Sequence, residues 1–187
     1  MKMTRVWAMP DAKTFEIPVI HNFVIKETGL GKVSADPFCG GKCWATYNND
    51  INPNLPAQQH IDASEFLESL VDLNIKLDVL ILDPPYSPRQ MSECYQSREG
   101  MQATQNASLM RQCRDAGAKL LKVGGIALSF GWNSNGMGQK RGFEIEEIIL
   151  VAHGGSHNDT ICLKERKIKE QMDLFPHESL QPLPAVQ

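Results

Sequence analysis

The chain has 187 residues, 42% of them apolar and 22% charged, with a formal net charge of −3. That length supports one well-buried domain and is too short for two sizeable ones. The negative charge argues against gripping nucleic acid through overall charge, so any phosphate contact must come from a local cluster of Lys and Arg. No apolar run approaches the roughly 20 residues of a membrane span, and the opening MKMTRVWAMPDAK lacks the apolar stretch of a signal peptide. Five cysteines between Cys39 and Cys162 do not make the framework of a small secreted domain. The expectation is a soluble cytoplasmic protein with reduced thiols and no membrane contact.

In chain order, an amphipathic stretch predicts a first helix over 17–28. Strand-like runs follow at 32–38 and 45–49, with a weaker one at 58–61, all separated by turn-forming residues. A second helix is predicted over 64–73, a strand over 77–82, and a third helix over 106–121. The last is closed by KVGG, where glycine suits a helix C-terminus. Strands at 125–130, 144–152 and 160–165 complete the pattern. Such alternation implies an α/β domain built on a largely parallel sheet. From 167 onward strand periodicity is lost and three prolines appear. The predicted division is therefore a domain at 1–166 and a tail or docking segment at 167–187.

Open sheets of this kind bind ligands beyond the carboxyl ends of their strands. After the first strand comes ADPFCGGKCWA, where Gly40 and Gly41 permit a tight turn and close approach of a ligand, and Asp36 is placed to accept its amino or hydroxyl group. A plain turn is the alternative. The next strand ends in NNDINP, with Asp50 where an acid accepts ribose hydroxyls, and HIDASEFL puts Asp62 beside the same crevice. Asp62 also fits a helix N-cap, with Glu65 three residues on as in a capping box, and the two roles are compatible. Three acids after three strands fit a nucleoside with a cationic appendage, and the GxxxxGK[ST] loop of a triphosphate site is missing.

VLILDPPYSPRQ places Asp83, Pro84, Pro85 and Tyr86 at the end of the fourth strong run. The prolines remove two N–H groups, leaving carbonyls and the Asp83 carboxylate as acceptors beside an aromatic ring. That cluster suits a planar base bearing an exocyclic amino group. Hydrogen bonds from its N–H groups to Asp83 and the Pro84 carbonyl favour a pyramidal nitrogen whose lone pair can attack a methyl group, with Tyr86 stacked on the unpaired base. A rigid turn that merely ends a strand is the structural alternative.

These segments, with ALSFGWNSNGMGQKRGFEIEEIILVAHGGSHNDTI, resemble small adenine-specific DNA methyltransferases of bacteria, archaea and their mobile elements, over about 14–164. The resemblance implies a Rossmann-like S-adenosylmethionine-dependent methyltransferase fold, a mostly parallel seven-stranded sheet with helices on both faces. It implies that Asp36, Phe38 and Gly40, with Pro37 and Cys39, line the methionine part of S-adenosylmethionine. Asp50 and Ile51 would hold the ribose, Asp62 and Ala63 the adenine, and Asp83 would border the cofactor as well as the target. Phe15 would close over the methionine end, or else serve as a core aromatic. The family turn is usually FxGxG, and Lys42 stands here in place of the last glycine. Adenine N6 is the substrate atom implied by DPPY, since SPPY, NPPY and DPPW accompany other amino targets.

Little chain remains for target recognition, so short loops must read the substrate. Candidates are Arg89 and Arg98 in 87–104, and Asn133, Asn135, Lys140 and Arg141 in GWNSNGMGQKRG, if these are more than solvated loops. In the tail, QMDLF resembles the peptide by which bacterial proteins dock onto the replication sliding clamp, with Gln171, Leu174 and Phe175 as anchors; packing of Leu174 and Phe175 on the domain is the alternative. His153 and His157 flank a glycine pair without a nearby acid or thiol, and Cys39 and Cys43 lack a second ligand pair, so no metal is expected. The reading is methylation of adenine N6 in DNA. Its rivals are the same reaction on RNA, and a non-catalytic nucleic-acid or clamp-binding module with a decayed site.

Overall fold

The strand LDVLIL sets the layering of the molecule. Successive strand side chains point to opposite faces. Val79 and Ile81 pack with Phe15, Ile20, Phe23 and Val24 on one side, whereas Leu80 and Leu82 pack with Phe66, Leu67, Leu109 and Cys113 on the other. A strand buried on both sides requires helices on both faces of its sheet.

The computed structural model describes residues 1–11, 13–85, 103–155 and 157–170. Its elements are β1 (Lys2–Trp7), α1 (Pro18–Glu27), β2 (Ser34–Asp36), β3 (Tyr47–Asn48), α2 (Ala63–Asp72), β4 (Leu77–Leu82), α3 (Ala103–Leu120), β5 (Leu121–Gly131), β6 (Phe143–Ala152) and β7 (Thr160–Lys167), with short 3-10 turns at Thr14–Glu16 and Gln139–Arg141. The strands form one sheet in the order β1-β6-β7-β5-β4-β2-β3. β7 runs antiparallel to β5 and β6, and every other pairing is parallel. No helix among the described residues is long and apolar enough to cross a membrane.

The sheet reaches seven strands by a different route from the one predicted. β1, unpredicted, pairs with β6 from Lys2↔Glu147 to Trp7↔Ala152. Only its Thr4 and Val6 are half-buried, so no buried alternation marks it in the sequence. The run at 58–61 supplies a single bridge, Asn49↔Gln59. Side chains replace a ladder there: Gln58 Oε1 accepts from the Asn48 N–H at 3.0 Å, Asn48 Oδ1 from the Gln58 N–H at 2.9 Å, and Asn49 Oδ1 from the Ile61 N–H at 3.1 Å.

Two boundaries also move. β5 starts at Leu121, directly after α3, so KVGG belongs to the strand and not to a helix cap. Leu121 is buried and pairs with Leu77, and a register shift between Leu77 and Val79 absorbs the irregularity, with Gly124 at φ 88°. β7 continues through Lys167, past the predicted strand end at 165. Lys167 is 1% exposed; its ammonium donates to the Ala118 and Leu121 carbonyls at 2.8 Å, which ties the strand end to the end of α3.

Candidate active site

Asp36 closes β2 at 1% exposure, and its Oδ1 accepts the Phe38 N–H at 3.0 Å. Burial pushes its carboxyl well above the usual carboxylate range; the Phe38 hydrogen bond opposes this, while the charges of Asp83 and Asp50 reinforce it. The three acids therefore share one neighbourhood. A low-dielectric cluster of carboxylates is stabilised by a cation brought among them.

Gly40 and Gly41, with φ 54° and 80°, make the turn after β2, and a Cβ on Gly40 would meet nothing within 4 Å. The space there is open. The Gly40 N–H donates to Asp50 Oδ2 at 2.9 Å, and Asp50 Oδ1 accepts from the Asn52 N–H at 2.9 Å. Each oxygen retains acceptor capacity for a ligand hydroxyl. Lys42 has no positive φ, so glycine is not required there. Its ammonium pairs with Glu16 at 2.7 Å and lies 5.9 Å from the Trp44 ring centre, fastening the glycine turn to the Thr14–Glu16 turn.

Asp62 is the N-cap of α2, its Oδ1 accepting the Ser64 N–H at 2.9 Å and the Ser64 hydroxyl at 2.7 Å. Both bonds fall on one oxygen, which leaves Oδ2 for a ligand. Ala63 and Cys39 are buried beside the crevice, and Ile51 is half-buried against the core. Sequence reading missed Asn49, fully buried among these acids. Its amide donates to the Pro37 carbonyl at 3.2 Å and the Ile61 carbonyl at 3.0 Å, and its backbone carbonyl accepts the Cys39 N–H at 3.0 Å. It thereby ties together the segments that carry Asp36, Asp50 and Asp62. The paired asparagines in NND were the available signal.

Asp83 follows β4, and its Oδ1 is buried without a hydrogen-bond partner among the described residues. Burial pushes the carboxyl up to about 7, against the pull of the Thr14 hydroxyl. Phe15, next to Thr14, is 4% exposed and packs edge-on against Phe130 at 5.3 Å. Pro84 and Pro85 line an open cleft of about 150 Å³ with Ser129, Trp132, Asn133 and Asn135. The half-buried turn carries the Asp83 carboxylate and the proline carbonyls, acceptors without N–H groups on Pro84 and Pro85, beside this cleft.

Of the proposed substrate readers, Asn133 and Asn135 line this cleft, and Asn133 Oδ1 accepts the Asn135 N–H at 2.9 Å. Lys140 is exposed. Arg141 departs from the expectation of a cation free for a phosphate: its Nε donates to Asp115 at 2.7 Å and its Nη1 to the Met137 carbonyl at 2.9 Å. The loop before it is held by Glu165, 2% exposed, which accepts the Met137 and Gly138 N–H groups at 2.6 and 2.9 Å. Tyr86, Arg89, Arg98, Gln171, Leu174 and Phe175 lie outside the described residues.

No family model and no curated protein matches the chain. Solved structures do. TrmN from Thermus thermophilus aligns at TM-score 0.54 and 13% identity, over 81% of this chain and 49% of its own. NodS from Bradyrhizobium japonicum WM9, an N-methyltransferase in complex with S-adenosyl-L-homocysteine, aligns at TM-score 0.55 and 12% identity, over 85% of this chain and 90% of its own. The chain thus spans about half the length of TrmN. The seven-stranded sheet, parallel but for β7, has the Rossmann-like fold of the methyltransferases.

Proposed function

We propose that the chain is an S-adenosylmethionine-dependent methyltransferase acting on the N6 amino group of adenine in DNA. The observation that carries this reading is the buried Oδ1 of Asp83, without a partner among the described residues and next to two prolines without N–H groups. A buried acceptor lacking a donor is costly, and an exocyclic amino group supplies donors. The open Gly40 turn and the cluster of Asp36, Asp50 and Asp83 fit a cationic nucleoside.

S-adenosylmethionine, when bound, supplies an electrophilic methyl group on a sulfonium. Asp50 would accept hydroxyls of its ribose, Asp62 Oδ2 would accept its adenine amino group, and Asp36 would favour its cationic end. Asp83 and the Pro84 carbonyl accept the two N–H groups of the target, directing the nitrogen lone pair toward the methyl. With its carboxyl raised to about 7, Asp83 also suits receipt of the proton that the nitrogen sheds after transfer. The base must leave a duplex to reach this turn. Docking of Gln171, Leu174 and Phe175 on a sliding clamp would bring the enzyme to replicating DNA.

The test is transfer of labelled methyl from S-adenosylmethionine to unmethylated DNA and to RNA, wild type beside Asp83→Ala, with nucleoside analysis. The expected product is N6-methyladenine in DNA, lost in the variant by about a thousandfold or more. Label confined to RNA would replace the substrate, and no label in either polymer would refute the reading.

A further inference from the structure

Three buried side-chain polar atoms among the described residues lack a hydrogen-bond partner: Asp83 Oδ1, Arg114 Nε and Ser129 Oγ. They are not scattered. Ser129 on β5 is the register partner of Leu82, the residue before Asp83, and Pro84, Pro85, Arg114 and Ser129 line the same cleft.

The two sides of this strand end carry opposite chemistry. Leu128 and Phe130 belong to the core under α1, so the intervening Ser129 points to the α3 face, where Met110 and Arg114 stand one turn apart along the cleft. Asp83 turns the other way, toward the Thr14 hydroxyl. Asp83 is an acceptor, Arg114 Nε is only a donor, and Ser129 Oγ can donate. Arg114 is also held in place: its Nη2 donates to the Asn135 carbonyl at 2.9 Å. No carboxylate among the described residues forms an ion pair with it, and burial together with the nearby Arg141 charge disfavours its cationic form. The guanidinium is therefore held in place and half-buried, with its Nε short of an acceptor among the described residues.

Adenine offers an amino donor beside a ring-nitrogen acceptor, N1 on one edge and N7 on the other. The complement of either edge is an acceptor beside a donor. Resting on the reading of Asp83 as the amino-group clamp, we propose that Arg114 and Ser129 hydrogen-bond the ring nitrogen next to the target amino group and so select the base by its edge. On the N1 edge guanine carries O6 where adenine carries its amino group and N1–H where adenine has a ring acceptor, so an acceptor would face Asp83 and a donor would face these donors; on the N7 edge O6 alone makes the difference. Both groups were invisible as site residues in the sequence, since neither stands in DPPY. Ser129 does lie at a strand's carboxyl end, where the same rule that singled out Asp83 applies.

The experiment uses the full chain and DNA oligonucleotides bearing adenine, 1-deazaadenine or 7-deazaadenine at the methylated position. Each analogue deletes one ring acceptor and keeps the amino group. Wild type is expected to lose about tenfold or more in kcat/KM on one analogue and to retain near-full rate on the other, which identifies the edge that is read. Ser129→Ala and Arg114→Gln are expected to lower kcat/KM on adenine and to lose the discrimination against that analogue. Ser129→Ala deletes a hydroxyl that has no hydrogen-bond partner among the described residues, and thermal melting with cofactor titration verifies that both variants fold. Equal rates of wild type on all three bases would overturn the proposal. So would variants that lose the same factor on every substrate, the signature of a backbone phosphate contact. If adenine itself is not methylated in any polymer, the Asp83 reading falls and takes this proposal with it.

Discussion

Asp83 titrates where a solvated carboxyl does not. With burial raising it to about 7, the native protein keeps a proton that the unfolded chain has lost between about pH 4 and pH 7. The folded pKa is the higher one, so the stability contributed is present below pH 4 and is lost as pH rises through 7. Asp83→Asn, which cannot ionise, should match wild type near pH 4 and exceed it by about 4 kcal/mol at pH 8 in urea unfolding. Catalysis runs the other way. The ionised carboxylate is the better acceptor for the target amino group, so kcat/KM should climb with pH and level off above about 7, falling about tenfold per unit on the acid side. A flat profile from pH 6 to 8 would remove Asp83 from the proton and hydrogen-bond account. The identity of this turn was legible in DPPY; its electrostatics were not, because they depend on a 3-10 turn arriving from a distant stretch of chain. Lys42 illustrates the same limit. Its departure from the glycine pattern is accommodated by an ordinary φ and a salt bridge to Glu16, neither of which local sequence reveals.

Strand ends, at the next scale, are held in register by side chains more than by ladders. β2 and β3 are three and two residues long, too short to fix the crevice by pairing alone. Asn49 compensates by bonding the Pro37 and Ile61 carbonyls and the Ile61 N–H. Asn49→Ala leaves those buried groups unsatisfied and should cost about 3 kcal/mol in urea unfolding, with cofactor affinity falling in parallel. A loss below about 0.5 kcal/mol would show that water replaces the amide without penalty. The elements buried on both faces were readable: β4 as an apolar run, α2 as an amphipathic stretch after an N-cap. β1 was not, because an edge strand with two half-buried residues and exposed Met3 and Trp7 carries no period. β7 was readable at its start and not at its end, where the buried Lys167 looks like the beginning of a polar tail until the carbonyls that receive its ammonium are seen.

At the scale of the whole molecule, several of the described cations are paired internally. Lys164 pairs with Glu27 at 2.8 Å, Lys122 with Asp78 at 2.8 Å, Arg141 with Asp115 at 2.7 Å, and Arg166 with Glu146. With a net charge of −3 and these cations engaged, few phosphates can be neutralised. The predicted dependence of DNA affinity on salt is shallow, with a slope of log K against log salt no steeper than about −3. A steeper slope would locate the grip outside the described surface. The parallel order of the sheet brings the ends of β2, β3, β4 and β5 to one edge, and the proposed site stands there. Its central requirement is a bound adenosyl cofactor, and calorimetric titration of S-adenosylhomocysteine at pH 8 into wild type and Asp50→Ala tests it most directly. The account predicts one site per chain in wild type and affinity weakened by about tenfold or more in the variant. No binding to wild type would contradict it and leave a methyltransferase fold used for something other than methyl transfer.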